Sequence, residues 1–147
     1  MTASILPLGS EVAPGASGTE AGFVTGSVRT LIRLEGLAAF AATLALYVHA
    51  GFSWPAFALL FLAPDLSMFA YLGGPRAGAI GYNFMHTYAL SLALTLAGFA
   101  GGIPTAAAGG LIWIAHIGFD RMLGYGLKYP TGFADTHLRR CDDRGRC

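Results

Sequence analysis

The sequence predicts an all-α fold, a four-helix antiparallel bundle that spans a membrane, and three observations predict it. Of the 147 residues only 12% are charged while 54% are hydrophobic, against about 25% charged in soluble domains. Four apolar stretches each have the ~20-residue length that crosses a bilayer. The connections between them are a few residues of turn chemistry, so consecutive helices must be antiparallel neighbours.

The elements follow in order. Residues 1–27 are rich in Gly, Ser, Thr, Ala and Pro and contain no Lys or Arg. They lack the basic start and apolar core of a secretory signal, and read as a disordered lead. The spans run over about 28–50, 54–73, 76–100 and 104–126, making 28–138 one membrane domain followed by a polar tail at 139–147. Pro55 and Pro104 fit a first helical turn, where a missing N–H costs nothing. Pro64 falls mid-span and predicts a kink immediately before Asp65.

Orientation comes from the basic residues. Arg29, Arg33, Arg76, Arg121, Lys128, Arg139, Arg140, Arg144 and Arg146 all fall on one side of such a bundle, and the other two connections are uncharged. The positive-inside rule then places both termini in the cytoplasm of a multi-pass protein of the inner (plasma) membrane. The lipid bilayer is the expected partner. With a net charge of +1 and no basic stripe in the folded part, nucleic acid is not. Cys141 and Cys147 have no metal-site spacing and read as free thiols. No G-x-S-x-G, P-loop or CxxC motif is present.

Five ionisable residues interrupt the spans: Glu35, Asp65, His86, His116 and Asp120. Each carboxylate at a helix centre costs roughly 2.5–3.5 kcal/mol on insertion scales, so something must offset them. Counted at 1.5 Å per residue, these residues and Asn83 lie roughly 9–15 Å from the cytoplasmic ends of their helices, in one layer. His116 and Asp120 are at i and i+4, and Tyr82, Asn83 and His86 at i, i+1 and i+4, so each set can share one helix face. Gly36, Ala63, Gly78, Gly81, Ala115 and Gly118 beside them allow close helix approach.

Two chemical readings follow. In one, Asp65, His86, His116 and Asp120 bind a divalent metal such as Zn, Mn or Mg, with Tyr82, Asn83, Arg33 and Arg121 supporting them. The metal acidifies water for attack on a lipid-like substrate, and Glu35 or Asp120 accepts the proton. In the other, Arg33, Arg76 and Arg121 neutralise Glu35, Asp65 and Asp120 in a structural network of a non-enzymatic membrane subunit or partner-binding protein. Four spans without an internal repeat argue against transport, although a homo-oligomer could still build a pathway. Trp113 reads as an ordinary packing or lipid-facing group and His49 as interfacial. The run LKYPTGFADTHL has Pro-Thr-Gly turn chemistry; it reads as a plain tail, with a loop folded over the cytoplasmic mouth as the alternative.

The blocks RLEG at 33–36, FLAPDLSMFAYLGGPRAGAIGYNFMHTY at 61–88 and IWIAHIGFDRMLGYGLKYPTGFADTHL at 112–138 resemble the bacterial membrane-protein family designated domain of unknown function 4260. The resemblance implies the four-span assignment and the same polar residues without naming a reaction. A weaker resemblance is to inner-membrane metal-dependent hydrolases, matched in order by Pro64-Asp65, His86 and His116 to Asp120. It implies a metal at those positions. Leu66, Ser67, Thr87 and Tyr88 depart from that group's second acid and fuller histidine motif.

Overall fold

A computed structural model describes residue 24 and residues 26–138. The expectations for the N-terminal lead, for the tail at 139–147 and for Cys141 and Cys147 lie outside the described residues. The chain forms α1 (Gly26–His49), α2 (Trp54–Leu60), a 3-10 helix (Ala63–Gly73), α3 (Pro75–Met85), α4 (Tyr88–Ala100) and α5 (Pro104–Leu123). No strand is present among the described residues, only an isolated antiparallel bridge between Lys128 and Thr136.

Helix α5 is the axis. It packs along α1 on one side and α4 on another, whereas α3 pairs with the 3-10 helix and α2 touches α5 only lightly. Buried residues run around most of its circumference, from Ala107 through Gly110, Leu111, Ile114 and Ala115 to Gly118, the pattern of a helix enclosed by others. In α1, by contrast, the buried residues are Gly36, Thr43 and Tyr47, whose spacing of seven and four marks a single stripe facing α5. The crossing of α1 and α5 is made by glycines. A Cβ on Gly118 would lie 2.8 Å from the Phe40 nitrogen and 2.9 Å from the Gly36 oxygen, so backbone meets backbone with no space for a side chain.

Two of the expected spans are broken. Pro64 lacks an N–H and its ring collides with the preceding turn, so α2 stops and the chain tightens, Asp65 N donating to Leu62 O at 3.1 Å. The expected kink is therefore a change of helix type. The 76–100 span also divides, at His86 and Thr87, where α3 ends and Thr87 turns extended (φ −100°, ψ 142°). No Pro or Gly marks that break. It is held from α5: Trp113 Nε1 donates to Met85 O at 2.6 Å and Arg121 Nη2 to His86 O at 3.4 Å, supplying partners to carbonyls that would otherwise be stranded in an apolar interior. Trp113, expected as ordinary packing, thus has a specific polar task.

The last expected span also stops early. Gly124 (φ 92°) closes α5, with Gly124 N donating to Arg121 O and Tyr125 N to Asp120 O, the left-handed cap that glycine adopts without strain. Arg33 Nε adds a bond to Met122 O at 2.8 Å. Beyond it the chain does not trail away. Residues 125–138 fold back as an irregular hairpin, with Tyr129 N bonded to Asp135 O, His137 N to Leu127 O and Val24 N to His137 O, and with Leu138 buried. The segment is a folded-back loop and not a plain tail.

Gly26–His49 and Trp54–Gly73 are long and apolar enough to cross a membrane. The outer surface is correspondingly oily: Leu59, Leu72 and Ile80 are 81%, 88% and 71% exposed.

Candidate metal centre

Asp65, His86, His116 and Asp120 converge on one point, and the local structure explains how each arrives there. Asp65 stands in the first turn of the 3-10 helix, just past the Pro64 break. His86 caps α3 at the second break. His116 and Asp120 are one turn apart on the continuous α5. The two interrupted elements thus deliver one ligand each to a rigid helix that delivers two.

The distances describe a compact polyhedron. His86 Nε2 lies 3.2 Å from His116 Nε2, 3.3 Å from Asp65 Oδ1 and 3.6 Å from Asp120 Oδ2; His116 Nε2 lies 3.5 Å from Asp65 Oδ1 and 3.8 Å from Asp120 Oδ2. The donor atoms of the four residues are all within 4.8 Å of one another. A tetrahedral ion with bonds of about 2.0–2.2 Å separates its ligand atoms by about 3.3–3.6 Å. These residues could hold a metal ion, with the widest-spaced donors drawing closer around it.

Proton positions strengthen the point. His86 Nδ1 lies 2.9 Å from Tyr82 O, an acceptor only, so Nδ1 carries the hydrogen and Nε2 of the neutral ring offers a lone pair. That lone pair faces two carboxylates and a second imidazole. A hydrogen on His116 Nε2 could serve one of these contacts and would leave the others acceptor against acceptor. A divalent cation would serve all of them, and would also cancel the formal charge of two carboxylates in an apolar interior. His86 has the outer hydrogen bond usual for a metal-ligating histidine; His116 Nδ1 is buried without a hydrogen-bond partner among the described residues.

Tyr82 braces the centre from two directions. Its hydroxyl donates to Asp120 Oδ2 at 3.1 Å, and its ring stacks on His86 with centroids 3.7 Å apart. Phe61 meets the His116 ring edge-on at 5.5 Å and stacks in turn on Phe57, so aromatic packing holds that ligand where hydrogen bonding does not. The histidine side chains are 3% and 2% exposed, against 29% for Asp65 and 16% for Asp120. The centre is sealed on the imidazole side and open on the carboxylate side.

Other residues expected near the layer lie elsewhere. Glu35 is exposed and lines a separate cavity of about 370 Å3 with Tyr88, Arg121 and His137; it does not join the four-residue group. Asn83, one residue and about 100° round α3 from Tyr82, instead clamps the hairpin: its Nδ2 donates to Lys128 O at 2.9 Å and its Oδ1 accepts from Lys128 N at 2.7 Å. Arg33 caps α5. Arg121 reaches His86 O and His137 rather than a carboxylate. Among the described residues, the ion pairs of Asp65 and Asp120 are with histidines, so the expected neutralisation by three arginines does not describe this layer.

Lys128 was legible only as a positive charge. It is buried, donates to Phe133 O at 2.9 Å, and sits 4.7 Å from the Tyr82 ring centroid and 3.4 Å from that of Phe133. Burial pushes the ammonium below its ordinary pKa while the Asp120 and Asp65 carboxylates pull it back up. Its sequence signal is the aromatic-flanked turn KYPTGF.

The hairpin carries its own titration. Burial, then the Arg121 charge, hold the His137 pKa below its ordinary 6.5, and Nδ1 must stay unprotonated to accept Leu127 N–H at 2.9 Å. The opened hairpin therefore binds a proton that the closed one refuses. Closure is fully stable above pH 6.5 and weakens as pH falls below it. Hydrogen exchange at the Leu127 amide should accelerate progressively from pH 6.5 downward relative to the intrinsic rate, and that pH dependence should vanish in His137→Asn.

A family model described as domain of unknown function (DUF4260) matches residues 29–141, a range that includes all four converging residues and the hairpin. No curated protein and no solved structure matches the chain.

Proposed function

The chain belongs to the DUF4260 family, and for it we propose an integral membrane protein that holds a divalent metal, Zn or Mn in class, between Asp65, His86, His116 and Asp120 and hydrolyses a lipid-like substrate there. The observation that carries the reading is the ring of four acceptor atoms at metal-site spacing, with the His86 lone pair directed into it. The mixed imidazole and carboxylate set suits those ions better than Mg, which prefers oxygen and water. Bound there, the ion would supply a Lewis acid and lower the pKa of water it meets.

The chain's own residues would do the rest. Tyr82 fixes the orientation of both Asp120 and His86. Asp65, the most exposed of the four, is the group best placed to take a proton from water entering on the open side. An apolar cavity of about 170 Å3 bordered by Pro64, Met85, Leu94 and Trp113 lies beside both helix breaks and suits an acyl chain. The exposed belt and the two membrane-length helices favour a bilayer setting, with the remaining helices completing a multi-pass bundle, both termini cytoplasmic by the basic-residue rule.

A second reading has one observation behind it. Four protein donors complete a tetrahedral shell, the arrangement of a structural clamp; catalytic sites keep a position open. Elemental analysis of the detergent-purified protein beside His116→Ala tests the metal. Near one ion per chain, lost in the variant, is expected; no ion in either after reconstitution with Zn or Mn sinks both readings. Hydrolysis of short-chain phosphoester or acyl-ester lipids by the loaded protein, absent in Asp65→Asn at equal metal content, separates catalyst from clamp.

A further inference from the structure

The cavity that received Glu35 has the reverse chemistry of the metal centre. Leu127 N–H donates to His137 Nδ1, so that nitrogen carries the lone pair and the only hydrogen of the neutral ring is on Nε2. Yet Nε2 lies 3.3 Å from Arg121 Nη1, and a guanidinium nitrogen can only donate. Two N–H donors thus confront each other, in a cavity of about 370 Å3 also lined by the Tyr88 side chain. The depressed His137 pKa agrees with a ring that holds one hydrogen, not two.

Donors so arranged are satisfied together when an acceptor oxygen takes a hydrogen bond from each. Glu35 does not fill that role: among the described residues it makes no ion pair with Arg121. We infer that the cavity between α1, α4, α5 and the hairpin, walled by Tyr88, Arg121 and His137, is a binding site for a phosphate group, distinct from the metal centre. The His137 and Arg121 donors, with Tyr88 lining the same cavity, match the several oxygens of phosphate better than the two of a carboxylate. Glu35, which lines the same cavity, favours a ligand whose phosphate is followed by a cationic or hydroxyl-bearing end. The phosphate could belong to a lipid headgroup or be free in solution. The site stands on its own observations and does not require the metal.

Calorimetric titration of the full chain in a neutral detergent tests it, with inorganic phosphate and dihexanoyl phosphatidic acid as probes and dihexanoylglycerol as the phosphate-free control. Wild type should bind at least one phosphate-bearing probe saturably and not the control. Binding of phosphatidic acid alone identifies a lipid headgroup site, whereas binding of inorganic phosphate identifies a site that also takes the free ion. His137→Asn keeps an acceptor for the Leu127 amide while removing the Nε2 donor, and should weaken binding by about tenfold; Arg121→Gln should weaken it further. Wild type should bind equally before and after treatment with a chelator. No binding of either probe by wild type, equal affinity in a folded His137→Asn, or loss of binding after chelation of protein that stays folded would overturn the assignment.

Discussion

Stripping the metal from the wild-type protein with a chelator should lower its melting temperature by on the order of 10 °C, while Asp65→Asn combined with His116→Gln should show no response to chelation. The size follows from topology. The 3-10 helix and α3 pack on each other but contribute little contact to α5, and Asp65 and His86 lie on or next to that pair while His116 and Asp120 lie on α5. An ion shared among them would tie two packing units together. At about a thousand-fold excess over its Kd, a ligand bound only by the folded state adds about 4 kcal/mol, and each kcal/mol moves the midpoint of a domain of this size by about 2–4 °C or more. Chelation also leaves acceptor atoms 3.2–3.8 Å apart with no cation between them. A melting temperature indifferent to chelation, in protein shown to have carried metal, would mean that the ion is not a cross-link between these units.

The second large effect concerns a residue with no chemistry. Gly118→Leu should abolish the folded state, Gly118→Ala should destabilise it by about 1–3 kcal/mol, and Gly109→Ala should stabilise it by up to about 1 kcal/mol. All three lie on α5, so helix propensity alone predicts a gain for both alanines. Space decides the sign. A Cβ at Gly118 meets the backbone of Phe40 and Gly36, neither of which can rotate aside, whereas a Cβ at Gly109 meets nothing within 4 Å. Thermal unfolding of the three variants in one detergent measures the contrast; equal behaviour of the two alanine variants would show that α1 does not cross α5 at Gly36.

The four converging residues were legible because an ionisable group in an apolar stretch is expensive, and antiparallel helices of known rise assign each a depth. Depth is one coordinate of three. Glu35 was placed with the group by depth alone, but Gly36 beside it is the residue pressed against α5, and Glu35 lines a different cavity. Asn83 and Tyr82 were expected together; adjacent helical positions face different neighbours, and only Tyr82 faces the centre. The break at His86 was invisible because MHTY contains no helix breaker, and what permits it, Trp113 and Arg121, lies about 27 and 35 residues further along the chain. Without that break Trp113 had no apparent acceptor to serve. The hairpin had a local signal in its Pro-Thr-Gly turn, but the interaction that fixes it, Asn83 to Lys128, joins residues 45 apart. The two breaks also differ in kind: Pro64 is a covalent reason to stop a helix, while His86 stops one only because its carbonyl finds a partner elsewhere.

Because Asp65, His86 and the pair on α5 enter from successive parts of the chain, the centre cannot be assembled piecemeal during synthesis. A nascent chain ending before α5 owns one carboxylate and one imidazole, too few to retain a cation against water. On the proposed metal reading, loading would therefore wait for the final helix, when long-range closure is complete. Metal content would then act as a certificate of finished assembly, because a chain lacking α5 would stay empty.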